Sequence, residues 1–126
     1  MEFPTDRLYH VEHLWLRLIG KDEAILGVTE FAQDQLGQIV YIEFPDQGSE
    51  ISSGVSFGTI ESAKTASDLI SPVSGTVILC NDKLNDEPWL VNKDPYGDGW
   101  IVRILLTTVS EIDALLSSQQ YQQNII

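Results

Sequence analysis

Short apolar runs separated by turn residues are the feature that most constrains this chain. LWLRLI (14–19) alternates apolar and polar residues over part of its length, the signature of a half-buried strand. Gly20-Lys21-Asp22 reads as a turn, and AILGVT (24–29) returns as a second strand. Thr29 can cap a short helix, EFAQDQLG, which Gly37 would terminate. IVYIEF (39–44) is strand again and stops at Pro45-Asp46-Gln47-Gly48. VSFGTIES and DLISPVSGTVILCN are two more strand regions, and the Pro and Gly of SPVSG split the second into two strands with a corner between them. NDKLNDEP reads as a loop, WLVNK as a helical turn, DPYGDGW as a turn and WIVRILL (100–106) as the last strand. The tail SEIDALLSSQQYQQ reads as a helix over about 110–121. Ser110 stands at its N-cap, Asp113 in the capping-box position, and Ile112, Leu115 and Leu116 form a narrow apolar stripe.

Such a pattern predicts a mainly β fold, a sandwich or barrel decorated by one short helix in the N-terminal half and one at the C-terminus. No linker or charge run divides the 126 residues, so one domain spans 1–126, with its core at about 9–107. GVTEFAQDQLGQIVYIE and GTIESAKTASDLISPVSGTVILC both run strand, interruption, strand, a weak hint of an internal repeat.

Seven basic residues against nineteen acidic ones give a net charge of −12. That surface repels phosphate backbones, so no nucleic-acid partner is expected, whereas a basic rim on a protein partner suits it. No apolar run approaches a membrane span, and MEFPTDRLYHVEH has neither a basic n-region nor an apolar h-region. The expectation is a cytoplasmic protein without a membrane partner, acting as a monomer.

Candidate chemistry is sparse. The one cysteine, Cys80, excludes an internal disulfide and reads as a buried thiol on a strand. His10 and His13 flank Glu12 in YHVEH, but no Cys or third His completes a metal set, so no metal is expected. Neither a G-x-S-x-G elbow nor a phosphate-binding G-x-x-x-x-G-K-[ST] loop is present. Lys64 stands out. It sits in TIESAKTASD between two strand regions, with Ser62, Ala63, Thr65, Ala66 and Ser67 as small or polar neighbours. Its ammonium is therefore open to an enzyme, and an acyl group placed there makes a long tether. As a solvated turn residue, Lys64 would instead only keep a hairpin edge soluble.

GTIESAKTASDLISPVSGTV, Asn81 and DPYGDGW together resemble the H proteins of the glycine cleavage system, relatives of the lipoyl and biotinyl carrier domains. The resemblance extends upstream through ILGVTEFAQDQLGQIVYIEFPDQG and covers about Tyr9 to Tyr121. Biotin carriers have Met on both sides of the lysine, whereas Ala63 and Thr65 flank it here, which favours lipoyl. By resemblance, the fold is a flattened barrel-sandwich hybrid with the lysine at a hairpin tip. Lipoic acid would be the cofactor, in amide linkage on Lys64, with Glu61, Ser62 and Asp68 as the surrounding motif residues. The resemblance implies a carrier and no catalysis of its own. Its arm would shuttle the aminomethyl intermediate of glycine between glycine decarboxylase, an aminomethyltransferase and dihydrolipoamide dehydrogenase. A lipoate ligase or lipoyl transferase would load it.

Family members dock the loaded arm in a surface cleft built in part by a segment reading S-H-E-W. Here that segment is Glu12-His13-Leu14-Trp15. His13 and Trp15 are kept, Glu12 replaces Ser, and Leu14 replaces the acid that would face a cationic amine. The change leaves a second client open: an H-like lipoate-binding protein serving a heterodisulfide-reductase-like sulfur-oxidation complex, or a lipoyl relay. An unmodified β-barrel interaction module is the reading from another class.

Overall fold

The structure, a computed structural model, describes residues 1–125. Among the described residues nine strands form two antiparallel sheets, the mainly β fold that the run-and-turn pattern predicts. The larger sheet has the order β1 (Leu8–Tyr9), β2 (Leu14–Ile19), β3 (Glu23–Val28), β9 (Val102–Leu106), β8 (Gly75–Cys80) and β5 (Glu50–Ile51). The smaller has the order β4 (Ile39–Glu43), β6 (Ser56–Ser62) and β7 (Ala66–Ile70). Alternation along the strands sends Leu16, Ala24, Leu26 and Ile104 of the large sheet inward. They meet Ile39, Ile42, Ile60 and Leu69 of the small sheet in one buried cluster. This is the sandwich the resemblance implies.

The short β1 and β5 edges escape a pattern search, because two residues carry no periodicity. NDKLNDEP is not all loop: Lys83–Asp86 forms a short helix, α2, which buries Leu84. A second short helix, α3 (Leu90–Lys93), occupies WLVNK. The two apparent repeats diverge. The first is β3, the helix α1 (Glu30–Leu36) and β4, a crossing from one sheet to the other. The second opens on a hairpin, β6–β7, within one sheet.

The C-terminal helix is shorter and later than the sequence predicts. Val109–Ala114 is a 3-10 helix with no side-chain cap from Thr108, and α4 spans only Ser118–Asn124. Between them Leu115 is extended, because Leu116 pairs with Tyr9 through two backbone hydrogen bonds of 2.8 Å. A sheet-edge pairing thus replaces a helical turn. The capping box is Ser117 with Gln120, an S-x-x-Q set, and not Ser110 with Asp113. Ile112 and Leu115 pack on the main core, whereas Leu116 joins the aromatic cluster behind the large sheet.

That second cluster holds Tyr9, Trp15 and Tyr121, all at most 1% exposed. Trp15 pairs with Gly27 across β2 and β3, donates its indole N–H to Pro95 O at 3.1 Å, and carries the Arg7 guanidinium 4.6 Å above its ring. A Cβ added to Gly27 would clash with the Trp15 indole. Gly27→Ala is therefore expected to cost about 1–3 kcal/mol of stability, the range for overpacking. Denaturant unfolding followed by near-ultraviolet dichroism checks this; an unchanged midpoint would refute it.

Candidate functional site

The β6–β7 hairpin is as tight as the small residues around Lys64 imply. Glu61 pairs with Ala66, and Ser62 N–H donates to Thr65 O at 2.8 Å. The Ser62 hydroxyl closes the turn from inside. It accepts from Lys64 N–H at 3.3 Å and Thr65 N–H at 3.2 Å, and its own O–H reaches Thr65 O. Ala63, Lys64 and Thr65 are all exposed. Lys64 is thus held at the tip by a turn that needs no left-handed residue.

The stem of Lys64 runs over Gly37, the C-cap of α1. Gly37 has φ 87, and an added Cβ would come within 3.3 Å of Lys64 Cε. Thr29 caps the other end of α1, its hydroxyl accepting from Ala32 N–H at 3.1 Å. Both ends of this helix are as the sequence predicts. Asn92 from α3 fixes the exit, accepting from Ile39 N–H and donating to Gly37 O and Gln33 Oε1, each at 2.8 Å.

Beside this helix lies a cleft of about 250 Å³. Its lining includes Phe31, Ala32, Gln35 and Leu36 of α1, Leu14 and Val28 of the large sheet, and Ile60 and Leu69 of the small one. Glu12, His13, Ser67 and Asp68 add polar groups. Of the four residues expected to form a cleft from the 12–15 segment, Glu12, His13 and Leu14 line it. Trp15 does not: strand alternation turns its ring to the opposite face, into the aromatic cluster. Of the motif residues around Lys64, Asp68 lines the cleft, Ser62 builds the turn, and Glu61 sits between Tyr41 and Ala66 without reaching the cleft.

His13 adopts φ 71, in the left-handed region, held by its N–H donating to His10 O at 2.9 Å and its carbonyl accepting from Thr29 N–H at 3.0 Å. Its Nδ1 shares a hydrogen bond with the Tyr121 hydroxyl at 2.8 Å, and the Phe31 ring lies 5.0 Å from its own. Sequence reading missed Tyr121 and the α1 lining. Phe31 and Leu36 were visible as apolar residues of a short helix, but their place over the hairpin was not. Among the described residues no cluster of three His, Cys, Asp or Glu could hold a metal. Cys80 is partly buried, donates to Pro45 O, and has its thiol pushed up in pKa by burial.

Burial holds His10 and His13 below the ordinary imidazole value of 6.5, with the Glu12 carboxylate opposing the shift at both. Well above 6.5 both rings are neutral folded or unfolded, and this contribution to stability is complete. As pH falls through 6.5 the unfolded chain takes up these protons first, so stability drops until the folded rings also protonate. Urea midpoints are expected to fall between about pH 7.5 and pH 5.5, with a smaller fall in His13→Asn. Equal slopes in the two proteins would count against His13 as a source.

The glycine cleavage H-protein family model matches residues 7–126. The chain is 48% identical to the probable glycine cleavage system H protein of Haloarcula marismortui over 98% of its own length and 97% of that protein. It is 45% identical to the glycine cleavage system H protein of Clostridioides difficile, over 99% of both. The crystal structure of a glycine cleavage system H protein from Mycobacterium marinum superposes with a TM-score of 0.88 at 35% identity, covering 98% of this chain and 99% of that one.

Proposed function

The chain belongs to the glycine cleavage H-protein family, and on that premise we propose that Lys64 carries a lipoyl group in amide linkage. The protein is then the non-catalytic carrier of a glycine cleavage system. One observation carries the assignment of the site: an exposed primary amine at a tight hairpin tip, its stem lying on a bare glycine next to an apolar cleft. When bound, the lipoyl group supplies a redox-active disulfide on a long tether. Lys64 attaches it and Gly37 leaves room for the stem. Leu14, Phe31, Leu36, Ile60 and Leu69 offer a surface from which water is displaced when the arm lies down.

The charge of this cleft comes from Asp68, which the lysine motif keeps, and from Glu12, at a shifted position. Leu14 is 2% exposed and forms apolar lining, while Glu12 and Asp68 line the same cleft. These two carboxylates offer anionic partners to a cationic amine. The partners we assign are glycine decarboxylase, an aminomethyltransferase, dihydrolipoamide dehydrogenase and a lipoate ligase or lipoyl transferase. A net charge of −12 favours basic rims around their active sites. Among the described residues no helix is long and apolar enough to cross a membrane, and we place the protein in the cytoplasm with these enzymes.

Co-expression with a competent ligase is expected to add one lipoyl group by intact mass, and Lys64→Arg to abolish it without loss of folding, because a guanidinium is not acylated. Lipoylation that persists in the variant would move the site to another lysine. Lipoylated protein is expected to support glycine–bicarbonate carbon exchange by a glycine decarboxylase. No exchange with Lys64 fully lipoylated would sink the glycine cleavage assignment and leave the sulfur-oxidation client. In the double variant Glu12→Gln/Asp68→Asn, ammonia loss from glycine-loaded protein is expected to rise up to about fivefold, the upper end for pairs open to solvent.

A further inference from the structure

The hydrogen bonds behind the cleft have a direction. Thr29 is fully buried, and its hydroxyl oxygen already accepts from Ala32 N–H. Its own proton has one acceptor within reach, the Tyr121 oxygen at 2.9 Å. A hydroxyl has one proton to give, so Tyr121 receives from Thr29 and gives its proton to His13 Nδ1 at 2.8 Å. The reverse polarity would leave the Thr29 proton buried and unpaired. With Nδ1 accepting, the ring hydrogen must sit on Nε2.

Nε2 has no protein partner among the described residues, and no buried side-chain nitrogen or oxygen there lacks one. Nε2 is therefore open, and His13 lines the cleft. The backbone bonds to His10 and Thr29 keep the residue from swinging away. We propose that Thr29 and Tyr121 lock His13 as the Nε2–H tautomer, making its ring a hydrogen-bond donor in the cleft to an uncharged acceptor on the docked arm, its sulfur. This rests on the carrier reading above. His13 is then the contacting residue and Tyr121, contributed by α4, a positioning residue. The arrangement complements Glu12 and Asp68, which can only accept when ionised.

A two-bond proton–nitrogen correlation spectrum of unmodified, ¹⁵N-labelled protein, recorded at about pH 8 where imidazoles are neutral, reads the tautomer directly. His10→Gln reduces the spectrum to the ring of His13. A pyrrole-type Nε2 and pyridine-type Nδ1 are expected; the opposite pattern, or an even mixture, overturns the proposal whatever the variants do. Tyr121→Phe keeps the ring stacked on Tyr9, 5.0 Å away, and removes only the hydroxyl. It is expected to mix the tautomers and to speed ammonia release from the glycine-loaded arm by about three- to tenfold, the worth of one hydrogen bond. His13→Phe is expected to do the same, with His13→Gln, which restores an N–H near Nε2, recovering part of the protection. A single tautomer and an unchanged release rate in Tyr121→Phe would overturn the relay. Lys64 left unmodified by a competent ligase would sink the carrier reading and the arm's part in this one, while the tautomer is still read on the unmodified chain.

Discussion

Two sheets of unequal size share one core, and one of the places where the chain changes sheet is Ser71–Ser74, a corner whose backbone is satisfied at each step. A buried corner exposes peptide groups to an apolar surround, and each must find a partner. Ser71 N–H donates to Val55 O, and Ser71 O accepts from Gly54 N–H. The Ser71 hydroxyl donates to Val73 O, and Ser74 N–H donates to the Glu111 carboxylate at 2.7 Å. Pro72 has no N–H to satisfy. Val73, fully buried, then fills the core where β7 leaves the small sheet and β8 enters the large one.

The exposed Lys64 tip and the cleft beside it follow from such crossings. With β7 and β8 in different sheets, the β6–β7 hairpin projects as a free tip, and α1 spans the gap between β3 and β4 alongside it. A carrier needs such a contrast. In the role proposed for Lys64, the lysine would have to be accessible to several active sites while its base stays rigid enough to present it in one way. The tip is rigid through the Ser62 hydroxyl, and the adjoining cleft through the caps of α1 and the Asn92 bonds. The C-terminal helix contributes from behind, since Tyr121 reaches both His13 and Thr29.

Strands, the capped helix α1, the corner and the lysine hairpin were legible in the sequence because each rests on local chemistry: alternation, an N-cap threonine, a C-cap glycine, a Pro–Gly break. The C-terminal segment was misread for the same reason. Ser110 and Asp113 look locally like a helix start, but the extended pairing of Leu116 with Tyr9, 107 residues away in sequence, overrides them. Trp15 lies outside the cleft: adjacency to His13 in sequence says nothing about which face of a strand a ring occupies.

The sequence by itself determined that Lys64 stands exposed on a tight turn, and that a β fold and an acidic surface surround it. Those properties depend on residues within a few positions of one another or on simple counts. Only the tertiary structure decided what faces the lysine's neighbourhood. It closed the cleft from α1, β2, β3, β6 and β7, put Glu12 and Asp68 in it and Trp15 outside it, and brought Tyr121 to His13. Hydrogen bonds and apolar contacts form wherever packing brings groups together, and packing joins segments whose distance along the chain leaves no local trace.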